Sequence, residues 1–200
     1  MVGRVGKFLK SLKLVDLGIV STDSLKIGKE AEKHNLKFFF TRPKFLSGST
    51  VSDVKVLYHA LKAAEKKIKK KFDIIISLPP TSPLRKIKDV ELSIKKLIKY
   101  KFDAVWTISP TDSKFHPYKS LFIKKNKLNY FTKKGSKIKY RQQLSQTYYR
   151  NGACYTFTRK SILKKEILPK NSGYVISNSP QISIDTLKDL DLAKKFIYKW

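Results

Sequence analysis

The polar residues best suited to chemistry in this sequence follow directly on a candidate buried strand. Thr81, Ser82 and Arg85 lie in the proline-rich segment 79–85, and residues 72–78 before it form a nearly continuous apolar run. Such a run is typical of a strand buried on both faces of a parallel sheet, and ligands collect at the carboxyl ends of such strands. Two hydroxyls and a guanidinium there could bind a sugar or a phosphate. The alternative is a stiff turn in which Arg85 is merely solvated.

Helix and strand patterns alternate along the chain on both sides of this loop. The predicted helices are 3–14, 24–35, about 53–68, about 88–100, 160–165 and 187–198, and the predicted strands are 17–21, 37–41, 73–78, 104–109, 152–158 and a strand end at 183–185. Asp23 or Ser24 is expected to cap the second helix. The succession of βαβ units predicts an α/β fold with a mostly parallel sheet and helices on both faces.

The pattern changes in the segment 111–150. This segment is polar and irregular, with two short hairpin-like runs at 120–124 and 127–130. Forty residues without strong elements inside a compact domain are usually a functional excursion, either a lid or an arm that docks on a partner subunit. We therefore expect one domain over residues 1–200, from which the β-rich segment 111–150 protrudes.

The composition indicates a globular protein without a membrane anchor. A hydrophobic content of 41% and an aromatic content of 12% suffice for a proper core. No apolar stretch reaches the length of a membrane-spanning helix, and the first residues lack the features of a signal peptide. The single cysteine, Cys154, allows neither an internal disulfide nor a thiolate cluster. We expect a cytoplasmic protein that does not associate with membranes.

The strong positive charge raises the question of nucleic-acid binding. The formal net charge is +29, but only six of the 44 basic residues are arginines, and the lysines are scattered over the whole chain. Arginine is the side chain preferred for bidentate contacts to phosphates and bases, and no nucleic-acid-binding motif is present. Charge alone therefore leaves nucleic acid as a distant third hypothesis, and we expect no nucleic-acid partner. A surface this basic would attract small anionic substrates.

Several short motifs occur together in one order along the chain. They are Ser21-Thr22-Asp23, Arg42-Pro43, Pro80-Thr81-Ser82-Pro83-Leu84-Arg85, His116-Pro117-Tyr118, Arg141-Gln142, Tyr149-Arg150-Asn151-Gly152-Ala153 and Ile184-Asp185-Thr186-Leu187-Lys188-Asp189-Leu190. From about residue 11 to the C-terminus the chain thus resembles the acylneuraminate cytidylyltransferases, which are the CMP-sialic acid synthetases and their bacterial relatives acting on other nonulosonic acids.

This resemblance implies a nucleotide-diphospho-sugar transferase-like fold and a nucleotidyl transfer. The anomeric hydroxyl of a nine-carbon acidic sugar would attack the α-phosphate of CTP, and pyrophosphate would leave. Positioning and charge neutralisation carry such a reaction, so no side chain is assigned as a covalent catalyst.

The resemblance also implies roles for individual residues. It assigns Arg42, Thr81, Ser82 and Arg85 to the nucleotide, Arg141, Gln142, Tyr149, Asn151 and Gly152 to the sugar, and Asp185 to a Mg²⁺ ion. The segment 111–150 would be a dimerisation and sugar-binding arm of a homodimer. If these roles hold, the side chains of Arg42, Ser82, Arg141, Asn151 and Asp185 converge on one cleft.

Three departures from the family pattern leave two function classes open. The family begins with a strand and a phosphate-binding loop that this sequence lacks before its first helix, Ser183 stands where the family has the first of two aspartates, and Pro79 stands where it often has glutamine. The first class is a CMP-nonulosonate cytidylyltransferase. The second is a non-catalytic truncated or degenerate relative that keeps the fold and the dimer arm, and that would not release pyrophosphate from CTP.

Overall fold

The computed structural model describes residues 1–178 and 180–197, in which helices alternate with strands. The helices are α1 (Val2–Leu9), α2 (Leu25–Glu32), α3 (Asp53–Ile68), α4 (Ile87–Lys99), α5 (Arg159–Lys164) and α6 (Leu187–Ile197), and the strands are β1 (Ile74–Ser77), β2 (Ala104–Pro110), β3 (Leu121–Lys124), β4 (Lys127–Tyr130), β5 (Tyr148–Thr158) and β6 (Ser172–Ile176). None of the helices in this part of the chain is long and apolar enough to cross a membrane.

The main sheet has the strand order β1-β5-β2-β6. Strands β1, β2 and β6 run in the same direction, and β5 lies between β1 and β2 in the opposite direction. The α/β prediction is confirmed. The sheet, which was expected to be mostly parallel, is mixed, because both pairings of β5 are antiparallel and the pairing of β2 with β6 is parallel. A strand that returns from a long excursion after β2 can pair with β2 as an antiparallel neighbour without a crossover helix, which explains the reversed strand.

Helices cover both faces of this sheet, as predicted. On one face, α3 and α5 pack on β2 and β5 through Val54, Leu61 and Ile162 against Ala104 and Phe157. On the other face, Val90 and Ile94 of α4 pack with Leu12 against Cys154. Burial of branched and aromatic side chains on each face is the main stabilising contribution to such a layered fold.

The two strands predicted at 17–21 and 37–41 do not form. These segments run parallel to each other and touch through isolated bridges that pair Ile19 with Lys37 and Thr22 with Thr41. The helix α2 between them forms as expected, with the hydroxyl of Ser24 accepting a hydrogen bond from the amide of Ile27 (3.4 Å). Two bridges without a continuous ladder leave the segments extended but irregular.

Other differences concern the second half of the chain. Strand β6 was not predicted, because it is only five residues long and begins with a serine and a glycine, residue types that are common in loops. The strand end predicted at 183–185 is irregular backbone. Position 198, the last residue of the predicted final helix, lies outside the described residues.

The excursion carries the predicted hairpin. Strands β3 and β4 form a separate two-stranded sheet, and Lys125 and Asn126 at its tip have φ angles of 50° and 59°. Two consecutive positive φ values are characteristic of the two-residue turn that matches the twist of a hairpin. All eight strand residues are exposed.

Candidate functional site

The proline-rich loop after β1 contacts the segment that leads into α6. The amide of Ser82 donates to the carbonyl of Pro79 (3.2 Å), and the amide of Ile184 donates to the carbonyl of Thr81 (2.9 Å). Asp185, the next residue, is exposed. The two predicted nucleotide-binding hydroxyls and the predicted metal ligand therefore lie on neighbouring loops beyond the carboxyl end of β1.

Strand β5 contains a large bulge near the middle of its pairing with β2. Trp106 pairs with Tyr155, and Ile108 pairs with Arg150. One residue of β2 is therefore opposite the four residues 151–154 of β5. Bulges of this kind end regular pairing and redirect side chains, and they occur often beside active sites.

Gly152 in this bulge lies against the proline-rich loop. Its φ is 72°, in the left-handed region that favours glycine. A Cβ at this position would lie 3.1 Å from the hydroxyl oxygen of Ser82. A residue predicted for the sugar and one predicted for the nucleotide are thus direct neighbours, although they are far apart in the sequence.

Asn151 is nearly buried, with 7% of its surface exposed. Its Oδ1 accepts hydrogen bonds from the hydroxyl of Thr107 (2.8 Å) and the amide of Ala153 (3.1 Å), and its Nδ2 donates to Ser109 Oγ (3.0 Å). The amide group predicted to contact the sugar is therefore engaged in contacts within the protein, and one N–H of Nδ2 is left for any other partner.

A small pocket opens on the α3 face of the sheet, between β1, β2 and β5. Its polar lining comes from Asp53 at the start of α3, Ser77 at the end of β1, and Trp106, Arg150 and Tyr155. Burial raises the pKa of the Tyr155 hydroxyl. The indole nitrogen of Trp106 is buried and has no hydrogen-bond partner among the described residues. An unpartnered buried donor beside a guanidinium suits a ligand that brings acceptor oxygens.

Sequence reasoning missed this pocket, because most of its residues follow no motif. Trp106 and Tyr155 read as core positions of two strands, and Asp53 reads as an acid in the first turn of a helix. Only Arg150 lies inside a motif, Tyr149-Arg150-Asn151-Gly152-Ala153, and that motif gave it no role. The signal that could have found the pocket is the position of Trp106 on β2 beside Arg150 on β5. That signal can be recognised only when the pairing of β2 with β5 is known.

Arg85 is buried beneath the loop, so the alternative of a solvated arginine is wrong. Its exposed fraction is 8%, and its Nη2 donates to the carbonyl of Pro79. The guanidinium lies 5.8 Å from the ring centroid of Phe8, and its Nε and Nη1 have no partner among the described residues. Burial lowers the pKa of Arg85 to about 10. The side chain thus supports the loop through the carbonyl of Pro79, and two of its nitrogens, Nε and Nη1, are without a partner among the described residues.

Arg42 occupies the end of the paired segments that replace the first two predicted strands. Its amide donates to the carbonyl of Thr22 (2.7 Å), its Nε donates to Ser47 Oγ (3.2 Å), and its Nη2 lies 4.0 Å from the carboxylate of Asp23. No hydrogen bond or ion pair in the described part of the chain joins Arg42 to the loop of Ser82. The predicted role of Arg42 at the nucleotide stays a prediction.

The arm residues predicted to bind the sugar are exposed. Arg141 and Gln142 lie in a short 3₁₀ turn, and Tyr149 lies on β5 opposite Ser109. The pKa of Asp112 is lowered, chiefly by a hydrogen bond from the amide of Lys114 and to a smaller extent by the charge of Arg141. Within the described residues, neither hydrogen bond nor ion pair connects Arg141 or Gln142 with Ser82 or Gly152. Their convergence on one cleft with Ser82 stays a prediction.

The surroundings of Asp185 limit how a metal ion could bind. The described residues contain no group of three or more His, Cys, Asp or Glu side chains that could hold a metal. The carboxylate of Asp189 accepts hydrogen bonds from the amide and hydroxyl of Thr186 (2.8 Å each) and from the amide of Asp185 (3.2 Å). These bonds, led by those from Thr186, lower the pKa of Asp189. Asp185 is exposed, and a single exposed carboxylate could hold a divalent cation only together with ligands from outside the protein, such as phosphate oxygens and water.

Comparison with known proteins gives a consistent set of relatives. The chain is 28% identical over 196 residues to the post-translational flagellin modification protein B of Campylobacter coli, covering 94% of this chain and 80% of the relative. It is 26% identical to the pseudaminic acid cytidylyltransferase (93% and 79% covered) and to the CMP-N,N'-diacetyllegionaminic acid synthase (90% and 76% covered) of Campylobacter jejuni. No protein-family model matches the chain.

The fold has a solved counterpart. A CMP:2-keto-3-deoxy-manno-octonic acid synthetase, determined in complex with CTP, superposes with a TM-score of 0.69 at 14% identity, over 99% of this chain and 87% of that one. At this identity the likeness concerns the fold alone. It confirms the nucleotidyltransferase-like architecture expected from the sequence.

Proposed function

Because its named relatives support membership in the CMP-nonulosonate cytidylyltransferase family at modest sequence identity, we propose that this chain transfers the cytidylyl group of CTP to an acidic nine-carbon sugar. The products would be a CMP-sugar and pyrophosphate. The relatives do not favour the alternative of a non-catalytic fragment. The observation that carries the proposal is the meeting of Ser82, Gly152 and the Asp185 loop beyond the carboxyl end of β1.

The proposed nucleotide site is the proline-rich loop. In this proposal Thr81 and Ser82 contact the nucleotide, Thr81 from a half-buried position and Ser82 from a buried one (2% exposed). The rigid loop fixes both residues in place without further ordering. Arg85 supports the loop through the carbonyl of Pro79. Arg42 completes the nucleotide site in this proposal.

A divalent cation, which we propose to be Mg²⁺, would neutralise the phosphate charge that develops as pyrophosphate leaves. Asp185 would hold it together with the phosphate oxygens. Ser183, two residues earlier, adds a hydroxyl but no charge, so most of the ligands must come from the nucleotide and water.

We place the acidic sugar beside the small pocket. Arg150 and the unpartnered indole N–H of Trp106 supply donors for its oxygens, and Gly152 allows the sugar to approach the backbone. In this proposal Arg141, Gln142 and Tyr149 of the arm close over the sugar, and Arg141 binds its carboxylate through two parallel hydrogen bonds.

A homodimer formed through residues 111–150 is part of the proposal. Leu121, Ile123, Leu128 and Phe131 of the hairpin region are exposed. Apolar side chains grouped in this way are typical of an interaction surface. A cytoplasmic location is also proposed, and the single, buried Cys154 is consistent with it.

Pyrophosphate release tests the function directly. The purified chain is incubated with CTP, Mg²⁺ and either pseudaminic acid, N,N'-diacetyllegionaminic acid or N-acetylneuraminic acid, and pyrophosphate is measured. We expect turnover with at least one acid, and a loss of kcat/KM of at least about 100-fold in Asp185→Asn.

The matched control is Asp191→Asn, which removes another exposed carboxylate of the same region, one that pairs with Lys194 (3.0 Å). It should leave the rate unchanged. Absence of pyrophosphate release with all three acids would overturn the proposed function, and equal rates in the two variants would overturn the role of Asp185.

A further inference from the structure

The bulge in β5 determines which face of the sheet two pocket residues occupy. Arg150 and Tyr155 are five positions apart, so in an uninterrupted strand their side chains would point to opposite faces. In the structure both line the same pocket. The Arg150 guanidinium lies 6.0 Å from the ring centroid of Trp106, and the Tyr155 ring lies 5.1 Å from it. Arg150 and Tyr155 therefore line the same pocket only because the strand changes phase between them.

One buried hydroxyl holds both ends of the bulge. Thr107 Oγ1 lies 2.8 Å from Asn151 Oδ1 and 2.9 Å from the carbonyl oxygen of Cys154, and these two acceptors share its proton. The same oxygen accepts a hydrogen bond from the Cys154 amide (2.9 Å). Asn151 Oδ1 also accepts from the Ala153 amide (3.1 Å), which curls the backbone inside the bulge. Thr107 is fully buried, so water does not compete for these bonds.

A second set of hydrogen bonds fixes Asn151 to the helix layer. Its Nδ2 donates to Ser109 Oγ (3.0 Å), Ser109 Oγ donates to the carbonyl of Ser177 (3.2 Å), and Ser177 Oγ donates to the carboxylate of Asp89 in α4 (2.6 Å). All of these side chains are buried. The chain of contacts crosses the sheet and ends on a charged acceptor, and hydrogen bonds to charged acceptors are stronger than neutral ones.

We propose that Thr107 and Asn151 are positioning residues, which hold the β5 bulge so that Arg150 and Tyr155 face the substrate pocket together. This inference rests on the proposed function and deepens it. Asn151 acts through the backbone of β5, and its side chain does not need to touch the sugar. The same bulge keeps Gly152 beside Ser82. The hydrogen bonds of Thr107 and Asn151, which we call the clamp, therefore align the sugar side and the nucleotide side of the site.

The test compares Thr107→Val with Thr107→Ser. Valine keeps the shape of threonine and removes the hydroxyl, whereas serine keeps the hydroxyl and removes a methyl group. A residue with a purely packing role would tolerate valine better than serine. We expect Thr107→Val to raise KM for the sugar by about 10- to 100-fold, and Thr107→Ser to keep KM within about threefold of wild type while losing thermal stability.

A second readout does not depend on activity. In a Trp200→Phe background Trp106 is the only tryptophan of the chain, and its emission reports on Arg150 and Tyr155 beside it. We expect an altered Trp106 emission in Thr107→Val and an unchanged one in Thr107→Ser. If the wild-type chain shows no pyrophosphate release, the proposed function fails, and this emission alone then decides whether the clamp holds the bulge.

A further variant protects the test against misfolding. Should Thr107→Val not fold, Ser109→Ala is measured, because it leaves the Thr107 hydroxyl in place and removes the acceptor of Asn151 Nδ2 together with the bond to the carbonyl of Ser177. It should change KM and emission in the same direction and to a smaller degree. Thr107→Val with the KM and the emission of the wild type would overturn the inference. If the valine variant is unfolded, the same result in Ser109→Ala would overturn it. Equal KM values in the valine and serine variants would also overturn it.

Discussion

The contact between Gly152 and Ser82 gives the sharpest prediction about the site, through the substitution Gly152→Ala. Two costs follow from the structure. A left-handed φ of 72° costs a non-glycine residue about 1–2 kcal/mol. In addition, the new Cβ would lie 3.1 Å from Ser82 Oγ, so that the loop or the serine rotamer must shift by a few tenths of an ångström.

The expected result is a double effect. For a chain of this size a cost of about 1–2 kcal/mol lowers the melting temperature by about 2–8 °C. Displacement of Ser82 should raise KM for CTP by about tenfold, since a hydrogen bond to the nucleotide is lengthened or lost. Differential scanning fluorimetry and the pyrophosphate assay measure the two effects on the same preparation.

The matched control is Gly48→Ala. Gly48 lies in a loop, and its nearest neighbour for an added Cβ is a methyl carbon of Val51 at 3.8 Å, an ordinary contact. This variant should keep the wild-type KM and melting temperature or gain slightly in stability. If Gly152→Ala behaves like Gly48→Ala, the close approach of the bulge to the proline-rich loop is wrong, and with it the geometry on which the nucleotide site is built.

Three further predictions concern stability, reactivity and charge. Glu65 receives two hydrogen bonds from Arg159 (2.6 and 3.0 Å), which lower the pKa of Glu65. Glu65→Gln should lower the free energy of unfolding, measured with urea near pH 7, by about 1–3 kcal/mol. The difference from wild type should vanish as the pH falls through the lowered pKa. Cys154 is buried and its pKa is raised by burial, so thiol reagents should modify it only in denaturant. Residues 113–150 contain eleven lysines and arginines and no carboxylate. Replacing the lysines of the hairpin tip 124–127 by glutamine should raise KM for CTP at low ionic strength and leave kcat unchanged. The difference in KM should disappear in high salt.

Local patterns predicted the helices and the buried strands well, because burial and periodicity are local properties. The apolar run before the proline-rich loop became β1, and the hairpin signals in the arm became β3 and β4. The segments 17–21 and 37–41 have strand-like sequences but form only two bridges with each other. A strand needs a continuous ladder with a neighbour, and no local sequence pattern states whether that neighbour is present.

In the candidate site, too, local sequence patterns predicted some features, whereas others depend on contacts between distant parts of the chain. The resemblance predicted one cleft for Arg42, Ser82, Arg141, Asn151 and Asp185. Gly152, the residue after Asn151, is a direct neighbour of Ser82, whereas the places of Arg42 and Arg141 at this cleft stay predictions. The role of Asn151 could not be predicted from its type, since an asparagine in a loop motif suggests a ligand contact. The bulge assigns its hydrogen bonds to Thr107 and Ser109, and the register of β2 against β5 is a non-local property.

The arginines and the lysines of this chain contribute their positive charge in different ways, as the contacts of their side chains show. Several of the six arginines make defined contacts: Arg159 forms a bidentate pair with Glu65, Arg85 donates to a carbonyl of the proline-rich loop, and Arg150 lies over Trp106. The planar guanidinium makes such fixed contacts at a smaller loss of freedom than an ammonium group does. The lysines of the arm are exposed, and Lys114 is the one among them that pairs with a carboxylate in the described residues. They therefore act through the field that they create together. A field of this kind attracts small anions from any direction, whereas recognition of bases requires directed donors. This difference is the reason that we expect anionic small-molecule substrates and no nucleic-acid partner.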